Sequence, residues 1–538
     1  MTLLIKTFRT SPPRAPLRAP SPMTKLTLAC AVSLALLGGC AVGPDYQRPA
    51  VDMPTHFTEL DGWTQARPDA EGPKGEWWKA FHDPLLDELE PQVQVSNQTV
   101  RQNYANYQQA LAEVRQARAG LFPTLGVDGS ASRSRAGSGG ANSAAAFTAG
   151  NGANVGSSAS VEGTASWAPD IWGQVRRSIE QSSDTAQASQ ATLANATLSE
   201  QIALANAVID LRITDANIDL LTQTVNAYTE YLRVVGDQDR AGTVPPSDVI
   251  TARTQLENAR ASLIALGVSR AQYAHAIAVL VGRNPESLTI AHSAALPALP
   301  DVPIGLPSTL LQRRPDIAVA ERQMAAQNAA IGVAVAAYYP NITLSLSDGF
   351  SAAPVAGLFK IANYVWSLGA SATETIFDGG ARSAKVDAAR AAYDAAVANY
   401  RGTVLTALQG VENDLASLRI LEQQAQTLEA AVRDSTDGAR IAMNEYQAGT
   451  VDYTTVVTAQ TTQLSTQQNA LNVQESRLLA ATSLISDLGG GWSDVTLSEN
   501  DSVGSATSAA SGKTATDSAP GGTTPASPAA TTSQSPAM

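Results

Sequence analysis

Two stretches of the chain carry apolar residues on a helical period for far longer than a globular helix needs. Gln174 to Val235 contains neither Gly nor Pro, and about 62 residues at about 1.5 Å each make a rod of about 93 Å. Along it Ile218, Leu221, Val225, Tyr228, Leu232 and Val235 alternate steps of three and four, the seam of a coiled coil. Ala381 to Gln447 repeats the pattern with Val404, Leu408, Val411, Leu415 and Leu418. It also carries Ala388, Ala391, Ala392, Ala395 and Ala396, small enough to let a second helix approach. A helix with two seams can form part of a wall, although an antiparallel bundle or a filament fits the heptads equally well.

Ahead of each rod the period changes to two. Ile342, Leu344 and Leu346, then Trp366, Leu368, Ala370, Ala372 and Ile376, alternate with Ser345, Ser347, Ser367, Ser371, Thr373 and Thr375. Earlier in the chain Leu125 and Val127, then Val161, Gly163, Ala165 and Trp167, do the same more weakly. Between them Ser134 to Ser157 is rich in Gly, Ser, Ala and Asn and reads as a long mobile loop. One apolar face and one wet face suit a membrane barrel filled with water, but single-chain barrels begin at about eight strands. Several chains would have to share this one, whereas a soluble sheet packed on helices would also alternate.

The chain is written twice. "AGTVPPSDVITARTQL" from Ala241 returns as "AGTVDYTTVVTAQTTQL" from Ala448, an offset of about 207 residues. "ARAGLFPTLGV" from Ala117 answers "AVAAYYPNITL" from Ala334, now offset by about 217, so the first copy holds the longer insertion. Each copy of the first motif places Gly at the end of a long helix, at Gly242-Thr243-Val244-Pro245 and Gly449-Thr450-Val451-Asp452, where a left-handed cap and a new helix are expected.

Charge changes the picture in one respect. The net charge is −13, and charged residues make up only 16% of the chain, well below the roughly 25% of ordinary soluble domains. That balance excludes nucleic acid as a natural partner and suits surfaces packed on other chains. Lys25, the apolar run Leu26 to Leu37 and Gly38-Gly39-Cys40 form the three regions of a signal peptide. Residues 1–39 are therefore expected to leave, with Met23 an alternative start, taking Cys30 with them. No apolar stretch of about 18 residues is evident after Cys40, so any membrane crossing is expected to use strands.

Catalytic chemistry finds no foothold. His56, His82, His275 and His292 stand apart without metal-ligand spacing, and no nucleophile elbow or phosphate loop is present. The expectation is no enzyme, no metal and no cofactor.

Several segments resemble the outer membrane factors, the TolC-like channels of efflux and type I secretion systems, in their lipoprotein branch. They are "LGGC" and "CAVGPDYQRP" at Cys40, "WWKAFHDPLLDEL" at Trp77, "RRPDIAVAERQMAAQNAAIGVAVAAYYP" at Arg313, "GVENDL" at Gly410 and "LGGGW" at Leu488. The resemblance implies a mostly α fold with a membrane β-barrel portion. A long coiled-coil helical barrel would join four strands per protomer, three protomers completing a 12-stranded barrel. It implies diacylglyceryl and N-acyl chains on Cys40, and Ala41 after it favours the outer membrane over the inner. It also implies a passive duct coupled through a periplasmic adaptor to an inner-membrane pump of the RND type, and it places Glu412 and Asp414 in an acidic ring where the tunnel narrows at its periplasmic end. The two Gly-Thr-Val turns would be the tips that dock on the adaptor. The domains expected are 40–83 as an equatorial segment, 84–282 and 307–492 as the two repeats, 283–306 as a linker and 499–538 as a disordered tail. A lipid-anchored periplasmic coiled-coil scaffold without a pore is the competing function.

Overall fold

The computed structural model describes residues 41–59, 76–135, 155–300, 310–353 and 355–492. The signal peptide, Cys40, the middle of the Ser/Gly-rich loop, the end of the linker and the tail lie outside the described residues.

A 3-10 turn, Trp77–Phe81, leads into α1, Pro84–Ser96, and α2, Gln98–Ala119. Strands β1, Thr124–Arg135, and β2, Val155–Trp167, come next, then α3, Gln174–Arg240, and α4, Pro246–Leu280. The second half runs through α5, Pro315–Ala336, β3, Asn341–Ala352, β4, Tyr364–Thr373, α6, Ala381–Gln447, and α7, Tyr453–Asp487. Lengths match across the halves: 22 residues in α2 and α5, 67 in α3 and α6, 35 in α4 and α7.

Local chemistry sets the boundaries. Asp83 accepts hydrogen bonds from the amides of Leu85 and Leu86 at 2.7 and 3.3 Å and starts α1 with Pro84 in its first turn, two standard devices for a helix N-terminus. Asp83 also takes the buried Arg212 guanidinium at 2.9 Å, tying α1 to the middle of α3. Every residue of the two heptad seams is buried or half-buried.

Two strand expectations need correction. The Ser/Gly-rich stretch is shorter than read, because β1 continues to Arg135 and β2 begins at Val155; serines and small residues there pair as strands without an apolar face to announce it. Ile376 lies beyond the end of β4 and is 95% exposed.

Near the strands, α3 packs between α2 and α5, and α5 packs on α6. Farther away, α3 pairs with α4, α6 pairs with α7, and α7 lies beside α3. The helices thus form one curved row with α6 at one edge and α2 and α4 at the other. The main core sits at mid-height, where Phe57, Trp77, Phe81, Leu86 and Leu89 pack against Leu204, Ile209, Tyr400 and Val404, each large side chain contributing roughly 1.5–3 kcal/mol. Ala388, Ala391, Ala392 and Ala395 of α6 remain exposed, on the edge of the row.

Candidate functional site

The four strands form one antiparallel sheet in the order β1-β2-β3-β4. The register sets Leu125, Ala165, Leu346 and Leu368 side by side on one face. Val127, Trp167, Leu344, Phe350 and Trp366 share that face. The opposite face carries Asp128, Glu162 and Thr164 among a field of serines, and Ser130–Ser160, Ser132–Ser158 and Ser347–Ser367 pair hydroxyl to hydroxyl at 2.9 Å. A soluble sheet would bury its apolar face against helices. Here Leu125, Trp366 and Leu368 are 81%, 67% and 73% exposed.

Aromatic rings gather at both ends of that apolar face. At the loop end Phe350 meets Phe359 and Tyr364 edge-on, each at 5.7 Å. At the helix end Trp172 stacks on Tyr339 at 4.9 Å beside Tyr338, and Phe122 and Phe377 are exposed just outside the helix-side ends of β1 and β4. An apolar band between two aromatic girdles is the pattern that membrane barrels present to lipid. Asp348 interrupts the apolar face and accepts a hydrogen bond from the Tyr364 hydroxyl.

At the far end of the long helices the two Gly-Thr-Val turns close in the same way. Gly242 and Gly449 take φ of 72° and 74°, the left-handed cap expected of glycine there. Thr243 donates its amide and hydroxyl to the Gln238 carbonyl at 3.0 and 2.9 Å, and Thr450 does the same to Glu445. The turns differ in how they start the next helix: Pro245 and Pro246 open α4, whereas the Asp452 carboxylate caps α7 through Thr455. Tyr446 and Tyr453, 5.2 Å apart, join Val235 and Val456 in a cluster that Val244 and Val451 pack against. The valines therefore hold the two tips together, and Gly242, Thr243, Pro245, Gly449, Thr450 and Asp452 are the exposed residues.

Glu412 and Asp414 stand elsewhere. Position 412 lies about halfway along α6, roughly 50 Å of helix before the tip. Glu412 there accepts the backbone amides of Thr58 and Glu59 at 2.7 and 3.0 Å. Asp414 turns toward Ser483, Asp487 and Arg314, and burial, reinforced by the Asp487 charge, pushes it up to about 6. Both residues are engaged by partners of their own chain at mid-height. Gly410, in the same "GVENDL" run, is where α7 comes closest: a Cβ there would overlap the Asp487 carboxylate.

The mid-height belt holds further acids that no local spacing in the sequence could reveal, because folding alone buries them or brings them to their neighbours. Glu475 of α7 meets Asp210 of α3, and burial first, then that neighbour, raises Glu475 to about 7. Glu90 is fully buried with no partner for either oxygen, and burial alone pushes it up to about 9. His292 lies between Asp215 and Asp219 at 3.0 and 2.8 Å and pins the linker to α3. Among the described residues no group of three or more His, Cys, Asp or Glu is arranged to hold a metal.

One helix departs from the expectation for the chain after Cys40. In α4 a window of mean hydropathy 1.3 is apolar and long enough to cross a membrane, and only 11% of it is buried. Its exposed Ile250, Ile264, Val268 and Val279 lie on the α4 edge of the helical row.

Comparison with known proteins agrees with this geometry. The family model described as Outer membrane efflux protein matches residues 89–283 and 306–490. The chain belongs to that family. The probable efflux pump outer membrane protein TtgC of Pseudomonas putida is 31% identical over 88% of this chain and 97% of its own. OprJ of Pseudomonas aeruginosa is 30% identical, covering 85% and 94%. Among solved structures the outer-membrane channel OprN superposes with a TM-score of 0.77 at 28% identity, over 84% of this chain and all of that one. The open state of the Neisseria gonorrhoeae MtrE channel gives 0.72 at 28% identity, over 84% and 98%. Outer membrane efflux proteins are channels of the Gram-negative outer membrane and not enzymes.

Proposed function

We propose that three copies of this chain close into one continuous duct, a 12-stranded barrel in the outer membrane above a helical tunnel in the periplasm. The observation that carries this reading is the two-faced sheet with both edges open. Among the described residues β1 and β4 each pair on one side only, and an unpaired strand edge cannot persist in hydrocarbon. Pairing β4 of one copy with β1 of the next satisfies both edges and puts the serine-rich face, with Asp128 and Glu162, on the water side. The same closure brings α2 against the alanine-lined upper edge of α6 in the next copy, and the exposed apolar row of α4 against the lower part of α6, where Ile420 and Ile441 are exposed.

The duct performs no chemistry of its own. Its polar lumen supplies a path, and a pump of the inner membrane, of the RND type, supplies the energy through a periplasmic adaptor. The exposed tip residues around Thr243 and Thr450 form a docking surface presented twice per copy. Acyl chains on Cys40 fit the place where the described chain begins: Ala41 packs on Gly173, and the Val42 amide donates to the Trp172 carbonyl at 3.1 Å, beside the lower aromatic girdle. Lipid at that point enters the inner leaflet.

Planar-bilayer recording of the detergent-extracted mature protein tests the duct. Discrete conductance steps with a cation-preferring reversal potential are expected. A confirmed trimer that stays without conductance even when its periplasmic helices are loosened would leave a scaffold instead.

A further inference from the structure

Residues 41–59 run down the helical row from the membrane end to mid-height, and they are held at every stage. Asp45 meets the buried Arg177 of α3 at 2.7 Å, and the Pro44 carbonyl accepts from Asn328 of α5 at 3.0 Å. Tyr46 and Arg48 share Glu321 of α5 at 3.1 and 2.7 Å. Phe57 enters the main core. The last attachment is to α6: Glu412 accepts the amides of Thr58 and Glu59, and Glu59 pairs with Arg419.

Length makes these attachments mechanical. From Val42 to Thr58 an extended chain spans at most about 58 Å. The fall from the start of α6 to Glu412 is about 46 Å along the helix, before the sideways crossing from α3 over α5 to α6, at 8–10 Å per packed helix. The length left over is taken up in a bend at 55–56 and a turn at 58–59. Beyond Arg419, α6 continues for about another 42 Å to the tip, with its outer edge uncovered in the single chain.

We propose that residues 41–59 are a strap whose end on Glu412 and Arg419 restrains the α6/α7 hairpin, so that releasing this end lets the lower hairpin swing and the tunnel open. Displacement of α6 away from α5 would have to unwind the bend at 55–56 and the turn at 58–59 or break the Glu412 and Arg419 attachments. Those attachments are few, partly exposed and ionic, which makes them the weak link of the strap, whereas Phe57 and the Glu321 contacts are buried. This inference rests on the duct reading for its consequence, opening, but not for its mechanics.

The test uses the trimer of the double variant Glu59→Cys/Arg419→Cys, joined by a reducible bis-maleimide and compared before and after reduction. Hydrogen exchange over residues 420–447 is expected to rise about tenfold on reduction, and open probability in planar bilayers to rise with it. Exchange that stays the same in the two states, with the cross-link confirmed by mass, overturns the strap. Failure of the cross-link to form in folded trimers overturns it as well. If exchange responds but neither state conducts, the strap stands and the duct reading falls. Glu412→Gln, which keeps the side chain's shape and removes its charge, should raise exchange over 420–447 in the same direction without any cross-linker.

Discussion

The two halves of this protein build the same junction with different chemistry. Where α1 gives way to α2, Asn97 caps the amides of Thr99 and Val100 at 2.8 and 3.1 Å. Its side-chain nitrogen donates to the last carbonyl of α4, Leu280, and to Glu200, both at 2.8 Å. At the equivalent place in the second half Arg314 donates to the last carbonyl of α7, Asp487, and to the Asp487 carboxylate, both at 2.9 Å, while clasping Asp316. One junction is closed by a neutral amide and the other by a guanidinium among three carboxylates, Asp316, Asp487 and Asp414. The backbone task is identical; its sensitivity to charge is not. The neutral junction anchors the half whose long helix buries 20 residues, and the charged one anchors α6, which buries 11.

The sharpest way to break the comparison is to remove each cap. Arg314→Ala leaves Asp487 and Asp316 without their cation in a half-buried setting and should cost about 3–5 kcal/mol. Asn97→Ala loses a cap and one carbonyl partner and should cost about 1–2 kcal/mol. Thermal midpoints of the trimer in detergent read the difference. Equal losses would mean that the charge in the second junction does no more than the amide in the first.

A glycine beside each junction tests what the halves share. Gly282 and Gly489 take φ of 69° and 94°, and a Cβ on either would overlap a backbone carbonyl, that of Ser96 or of Arg313. Alanine at each should cost a similar amount, roughly 2–3 kcal/mol from strain and overlap together. A large inequality between the two variants would show that the junctions differ in geometry as well as in charge.

A smaller effect isolates the second junction by pH. Asp414 is raised from 3.8 to about 6, so its protonated form favours the folded state. That contribution is full below about pH 4 and is lost as pH rises through 6. Glu475, raised to about 7, acts in the same direction. Exchange around residues 410–415 and 484–490, corrected for intrinsic rate, should therefore quicken between pH 5 and 8. Glu90, raised to about 9 by burial, acts in the same direction on the first half, so the contrast lies in the variant: Asp414→Asn should flatten much of the dependence at 410–415 and 484–490 and leave that of residues 277–283 unchanged. Equal flattening at both junctions would sink the distinction.

Much of this fold is legible in the sequence, and some of it is not. The rods, the paired turns and the alternating strands follow from local periods, and α6 begins and ends where the pattern of Ala381 to Gln447 does. The partners of Glu412 stay hidden because they are Thr58 and Glu59, more than 350 residues away; a likeness carries an acid to a position without carrying its neighbours. The apolar row of α4 escapes detection because Ile250, Ile264 and Val268 are diluted by Ala, Ser and Gln along the helix. Serine-lined strands beyond Ser134 are hidden for the opposite reason, having no apolar face to alternate.

The gentlest test lies within α6, where two glycines eight residues apart should respond in opposite directions. Gly410 faces the Asp487 carboxylate and has no room for a methyl group, whereas Gly402 has nothing within 4 Å of where its Cβ would be. Both sit in helix interior, where Ala is favoured over Gly by about 0.8–1.0 kcal/mol. Gly402→Ala should therefore stabilise the trimer by up to about 1 kcal/mol, and Gly410→Ala should destabilise it by about 1–3 kcal/mol as the Asp487 carboxylate is pushed away from Arg314. Should Gly402→Ala also destabilise, its side of α6 is filled in the assembly. That outcome would identify Gly402 as a point where the next copy touches the edge of the row, and would locate the closure of the wall more finely than the single chain can.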